Sequence, residues 1–123
     1  MPILRPNSSR KVYDPRKKGT LLQAKDISVD LAQYRVCYKG KPLELQRPLL
    51  FELLIYFLQH PGETLTREHL LEHVWGYSKE NIQASNKRTV TIYIHLLREA
   101  LDDLKEEPRV IQTVYGSGYR FQG

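Results

Sequence analysis

The residues best equipped for chemistry lie between 87 and 99, where Lys87, Arg88, Thr89, His95, Arg98 and Glu99 are interleaved with apolar side chains. Ammonium and guanidinium groups neutralise phosphates, and the arginine fork matches two phosphate oxygens at once. Val90, Ile94, Leu97, Leu101 and Leu104 recur through the same stretch at steps of four and three, which predicts one helix with a single core-facing stripe. At about 100° per residue the opposite face is then determined. It carries Arg88, Thr89, Ile92, His95, Leu96 and Glu99, with Lys87 and Arg98 toward one flank. Such a face either enters a DNA major groove or is a solvated helix surface.

The remaining chemical candidates are weaker. His69 and His73 stand four apart and in principle share a metal, but no cysteine accompanies them and Glu72 is not placed as in H-E-x-x-H, so no metal site is expected. Gly116-Ser117-Gly118 lacks the Lys-Ser/Thr and following helix of a phosphate-binding loop and reads as a hairpin turn. Cys37 lies in a strand pattern without a partner base, which suits a structural thiol. No acid–base or nucleophilic constellation emerges, so neither an enzyme nor a cofactor is expected.

The elements that must position the 87–99 stretch follow from pattern. Leu21 to Ala24, Ile27 to Asp30, Tyr34 to Tyr38 and Lys41 to Leu45 alternate with period two, and Lys39-Gly40 supplies a tight turn, predicting a four-stranded antiparallel sheet. Pro42 confines its strand to an edge. Pro48 to His60 reads as a helix that is apolar around most of its circumference and therefore central, stopped by Pro61-Gly62. Thr66 caps a second helix ending at Gly76, residues 76–86 form a loop, and the third helix runs from about Lys87 to Lys105. Val110 to Val114 and Tyr119 to Gln122 close the chain as a hairpin. The fold class is α+β: a winged helix-turn-helix with an N-terminal sheet, three helices and a C-terminal wing.

Size and charge bound the reading. The chain has 123 residues, one domain's worth, and 19 Lys+Arg against 14 Asp+Glu give a net charge of +5. Residues 1–20 hold six cations (Arg5, Arg10, Lys11, Arg16, Lys17 and Lys18) against Asp14 alone, so the whole excess sits there and the body is balanced at 13 each. Residues 1–20 read as a flexible basic linker or arm and 21–123 as the winged-helix domain. One cysteine precludes an intramolecular disulfide, the start lacks an apolar signal core, and the longest apolar concentration, Leu49 to Leu58, is about half a membrane span. A cytoplasmic protein without a membrane role is expected.

The runs Leu65-Thr66-Arg67-Glu68-His69-Leu70-Leu71-Glu72-His73-Val74-Trp75-Gly76, Lys87-Arg88-Thr89-Val90-Thr91-Ile92-Tyr93-Ile94-His95-Leu96-Leu97-Arg98 and Val110-Ile111-Gln112-Thr113-Val114-Tyr115-Gly116-Ser117-Gly118-Tyr119-Arg120-Phe121 together resemble the OmpR/PhoB-type winged-helix effector domains of bacterial response regulators and related activators. The resemblance covers about residues 21–122. It implies a transcription regulator of the two-component type that binds double-stranded DNA, with the third helix in the major groove and the wing near the adjacent minor groove. By match of position it implies DNA contacts from Arg88, Thr89, Tyr93, His95, Arg98 and Trp75; Thr66, Arg67, Lys87, Ile92, Leu96, Tyr115, Ser117, Tyr119 and Arg120 complete the expected DNA-contacting set. Arg98 takes a phosphate-contacting position, and the apolar body of Trp75 equally suits the core. The 76–86 loop is a candidate contact for RNA polymerase, and pairing of two copies on DNA is a further implied partnership.

The chain also departs from the resemblance. Leu96 stands where a basic residue is common, Thr91 where an acidic one is usual, Glu99 where lysine is frequent, and Tyr115 where many relatives place a wing-tip arginine. Gln46-Arg47-Pro48-Leu49-Leu50 replaces a Thr-x-x-Glu type of helix start. Ile92 and Leu96 suit thymine methyls or a protein partner. The alternative function is accordingly a winged-helix protein-interaction module that has lost DNA binding. No receiver domain lies within these residues, and residues 1–20 fit either a linker leading to one or the arm of a stand-alone regulator.

Overall fold

The computed structural model describes residues 21–24, 26–104 and 110–122. The basic segment 1–20 and the expected end of the third helix at Lys105 lie outside the described residues.

Strands β1 (Leu21–Ala24), β2 (Ile27–Asp30), β3 (Arg35–Tyr38) and β4 (Lys41–Leu43) form an antiparallel meander in that order. Lys39 and Gly40 take φ of 52° and 78°, the mirror-image turn whose twist matches the strands it joins. Cys37 pairs with Pro42, and β4 is an edge strand, where a residue without an N–H is tolerated. β3 begins at Arg35 rather than Tyr34. Tyr34 takes φ 52° at the end of a turn in which Asp30 Oδ1 accepts from the Ala32 N–H at 2.9 Å.

Helix α1 (Pro48–Gln59) is the central element, with Leu50, Phe51, Leu53, Leu54, Ile55, Phe57 and Leu58 all buried. The sheet packs Ile27, Val29 and Val36 into the same core. A short strand β5 (Thr64–Leu65) leads to α2 (Arg67–Leu70), which continues through one wider π turn (Leu71–Trp75). Thr66 caps α2, its Oγ1 accepting from the His69 N–H at 2.9 Å, and Gly76 at φ 86° ends the π turn.

Helix α3 spans Ala84–Ala100, earlier at both ends than its apolar pattern predicts. At its start the Asn86 side chain accepts from the Gln83 N–H at 2.9 Å, a capping arrangement that draws in an extra turn. At its end Asp102 takes φ 53°, the Asp103 N–H donates to the Arg98 carbonyl at 2.7 Å and the Asp102 N–H to the Glu99 carbonyl at 3.2 Å. This is a Schellman closure with aspartate at the left-handed position. Val90, Ile94, Leu97 and Leu101 are buried as the stripe requires, but Leu104 lies beyond the closure and is 48% exposed. The expectation that Leu104 belongs to the core stripe is therefore corrected.

The hairpin of β6 (Ile111–Val114) and β7 (Gly118–Phe121) gains β5 as a third strand, in the order β5-β7-β6. Two residues are too few to show a period, so β5 is invisible to patterning. Gly118 is required at this seam: a Cβ there would lie 2.1 Å from the Leu65 carbonyl oxygen. Buried Asp103 accepts from the N–H groups of Val110 and Ile111, both at 3.0 Å, joining the end of α3 to the wing.

Candidate nucleic-acid interface

The buried stripe of α3 turns its other side away from the body. Arg88, Ile92, His95 and Glu99 are exposed, and Ile92 keeps 52% of its surface. The Arg88 side chain has no hydrogen bond or ion pair to another described residue. Two residues expected outward are drawn in. Leu96 is half-buried against the core, and half-buried Thr89 donates its hydroxyl to the Ser85 carbonyl at 3.2 Å.

The flank of α3 facing α2 and the hairpin is heavily engaged. Lys87 Nζ sits 2.8 Å from Glu68 Oε2, and its hydrogen bond holds the Glu68 carboxyl below the usual carboxylate range. Arg67, at the start of α2, donates to Thr91 Oγ1 at 3.3 Å. Arg98 is turned furthest inward. Its Nε and Nη2 donate to the Ile111 carbonyl at 2.9 and 2.7 Å, and Nη2 also donates to Thr113 Oγ1 at 2.8 Å. Its guanidinium lies 5.6 Å from the centre of the Tyr119 ring. Burial lowers the Arg98 pKa from the ordinary arginine value, opposed by Tyr119 and Asp103, and arginine stays protonated in any case. Arg98, expected on the exposed side of the helix, is instead half-buried: the β6 edge offers a carbonyl and a hydroxyl within reach of the fork, and the side chain fastens the wing to α3.

The opposite flank is aromatic. Tyr93 packs edge-on against Trp75 with ring centres 5.2 Å apart, so Trp75 is a half-buried wall of this flank. Arg47, the residue before α1, lies over the Tyr93 ring at 5.7 Å and makes a long 3.5 Å contact from Nη1 to the phenol oxygen. Nothing in the sequence pattern signals Arg47, because a single arginine before a proline has no period and its partner is 46 residues away.

At the wing, Tyr115 is 88% exposed at the tip beside exposed Ser117, whose N–H closes the turn onto the Val114 carbonyl at 2.9 Å. Arg120 is half-buried and donates to Gln112 Oε1 at 3.2 Å. Tyr119, expected as a surface contact, is only 8% exposed because alternation along β7 points it inward with Phe121. Thr66 is exposed, but its hydroxyl oxygen is occupied by the cap already described.

His69 and His73 pack side by side on α2 and the π turn. Their rings face each other at 4.2 Å, and His69 Nε2 is hydrogen-bonded to Tyr56 Oη at 2.6 Å. Among the described residues no group of three or more histidine, cysteine or carboxylate side chains is arranged to hold a metal. No helix among them is long and apolar enough to cross a membrane.

Residues 40–121 match the family described as "Transcriptional regulatory protein, C terminal". The phosphate regulon transcriptional regulatory protein PhoB of Escherichia coli is 40% identical over 107 residues, covering 87% of this chain and 44% of the relative. The chain therefore spans less than half the length of such relatives. The structure of the response regulator DrrB of Thermotoga maritima, an OmpR/PhoB homologue, superposes with a TM-score of 0.70 at 33% identity, over 84% of this chain and 44% of that one. The DNA-binding domain of Klebsiella pneumoniae RstA, solved in complex with the RstA box, superposes with a TM-score of 0.72 at 27% identity, over 82% and 95%. On the match across residues 40–121, which takes in β4, the helices and the wing described above, the chain belongs to the C-terminal transcriptional regulatory family of OmpR/PhoB type.

Proposed function

We propose that this domain binds double-stranded DNA as the effector part of a bacterial transcription regulator, with α3 in the major groove and the Tyr115 tip directed to the adjacent minor groove. The observation that carries the reading is the outer side of α3. Arg88, Ile92 and His95 stand free of the body, while the inner stripe and both flanks are fastened to α1, α2 and the hairpin. A rigid helix with an unpaired guanidinium and an apolar tip offers phosphate neutralisation and contact with thymine methyls together. The RstA domain, similar over nearly all its length, is a complex with its DNA box, which supports the same use here.

Within this reading Arg67, Arg88 and Arg120 are backbone contacts, and Thr89, Ile92 and His95 face the bases. Arg98, Tyr119 and Thr66 act by holding the scaffold. A two-component response regulator supplies the larger protein, residues 1–20 the linker or arm, and the exposed 76–86 loop a contact for RNA polymerase. Two copies pair on adjacent half-sites. The same reading places the regulator in the cytoplasm.

Selection from a random duplex pool with the full chain tests this. Enrichment of a defined sequence is expected, with the same sequence recovered when residues 1–20 are removed. Recovery of no sequence above the non-specific level, together with a tight protein partner bound through Ile92, would instead establish the protein-interaction alternative.

A further inference from the structure

The cations of α3 are unevenly placed about its axis. With Ile92 as the outermost position and about 100° per residue, Lys87, Arg88 and Arg98 all fall on the side of Thr91, which faces Arg67 of α2. The other side carries Thr89, Leu96, Ala100, Tyr93 and Asn86, none of them charged. A helix of about 10 to 12 Å diameter lying in a groove about 12 Å wide has a phosphate backbone along each flank. One strand would then meet the free Arg88 of α3, and the other only neutral side chains.

Arg47 stands on the neutral side. Pro48 opens α1 and forces the preceding residue into extended backbone, φ −123° and ψ 134°, which takes Arg47 off the helical spiral. Its guanidinium rests over the Tyr93 ring, whose edge contact with Trp75 keeps it from turning away. The phenol contact uses one of five N–H donors, and the side chain is exposed, so the remaining donors are available to an anion. Arg67 against Thr91 and Arg47 against Tyr93 thus bracket α3 from opposite sides, each supplied by a different helix terminus.

We propose that Arg47 is a DNA-contacting residue that neutralises a phosphate of the strand lying along the uncharged flank of α3, with Tyr93 as its platform. The inference rests on α3 being the groove helix. It extends the interface to the start of α1.

The test is duplex binding by the full chain across a range of salt, with a mixed-sequence duplex of about 20 base pairs, two helical turns. Each neutralised phosphate contributes about 0.9 to the slope of log K against log salt. Arg47→Gln should lower the slope by about 0.9 with an unchanged melting temperature, and Arg47→Lys, which keeps the charge, should retain it. Arg88→Ala serves as the reference. If Arg88→Ala flattens the slope and Arg47→Gln leaves it unchanged, the assignment of Arg47 is overturned and the groove helix stands. If the wild-type chain shows no salt-dependent duplex binding, both are overturned.

Discussion

The two flanks of α3 use the same side-chain chemistry for opposite ends. Toward α2 and the hairpin, Lys87 is paired with Glu68 and Arg98 is bound to the Ile111 carbonyl, so two of the helix's three cations are committed to the fold. Toward α1 the helix brings no cation, and an arginine from another element rests on its tyrosine. A tally of basic residues on a helix therefore says little about what that helix offers a polyanion. What decides is whether a carbonyl or carboxylate of the same molecule reaches the cation first.

The largest expected effect breaks the committed flank. Arg98→Ala leaves the Ile111 carbonyl and Thr113 hydroxyl without their charged donor at a half-buried seam. Hydrogen bonds to charged groups contribute about 1.5 to 3 kcal/mol, and a buried acceptor left unmade costs a similar amount. A loss of about 2 to 3 kcal/mol is expected by chemical denaturation, lowering Tm by about 10 to 20 °C. Arg98→Lys should recover only part of it, since an ammonium cannot reproduce the fork. A variant as stable as wild type would mean that Arg98 is free for phosphate after all.

A smaller effect concerns the α1–α2 contact beneath both flanks. Burial first, then the charges of His73 and His60, lowers the His69 pKa from its ordinary 6.5, opposed by Glu72 and Glu63. The folded state thus disfavours the imidazolium, and below about pH 6.5 the unfolded chain takes up the proton first. Stability should be full above that pH and fall as acid is added down through the lowered folded value. Denaturation at pH 5 and pH 7.5 should show the decrease, and His69→Gln should reduce it. An equal decrease in His69→Gln would assign the acid sensitivity to other groups.

The smallest change turns a committed cation into a free one. Glu68→Gln removes the partner of Lys87 at a largely exposed pair, costing at most about 1 kcal/mol of stability. Released, Lys87 should steepen the salt dependence of duplex binding by up to about 0.9. An unchanged slope would place Lys87 too far from the phosphates to matter.

These distinctions also mark what is legible in the chain. The meander, the central helix, Gly76 as a stop and the stripe Val90, Ile94, Leu97 and Leu101 follow from period and turn chemistry, which are local. The ends of α3 do not. Gln83 is a weaker N-cap than Ser, Thr, Asn or Asp, and Asp102 a weaker left-handed terminator than Gly, so the apolar spacing alone carries Leu104 into the helix. For the candidate interface, Arg88, Ile92 and His95 follow from the helical face. Arg98 and Arg47 do not, because each is defined by a partner 13 to 46 residues distant.

The most direct test compares Arg88 with wild type in one experiment, duplex binding against salt alongside thermal melting. With Arg88 free of the body and facing DNA, Arg88→Ala should lower the slope by about 0.9 and weaken binding, with stability within about 0.5 kcal/mol of wild type. An unchanged slope and affinity for Arg88→Ala would contradict the assignment of the outer face of α3 to DNA.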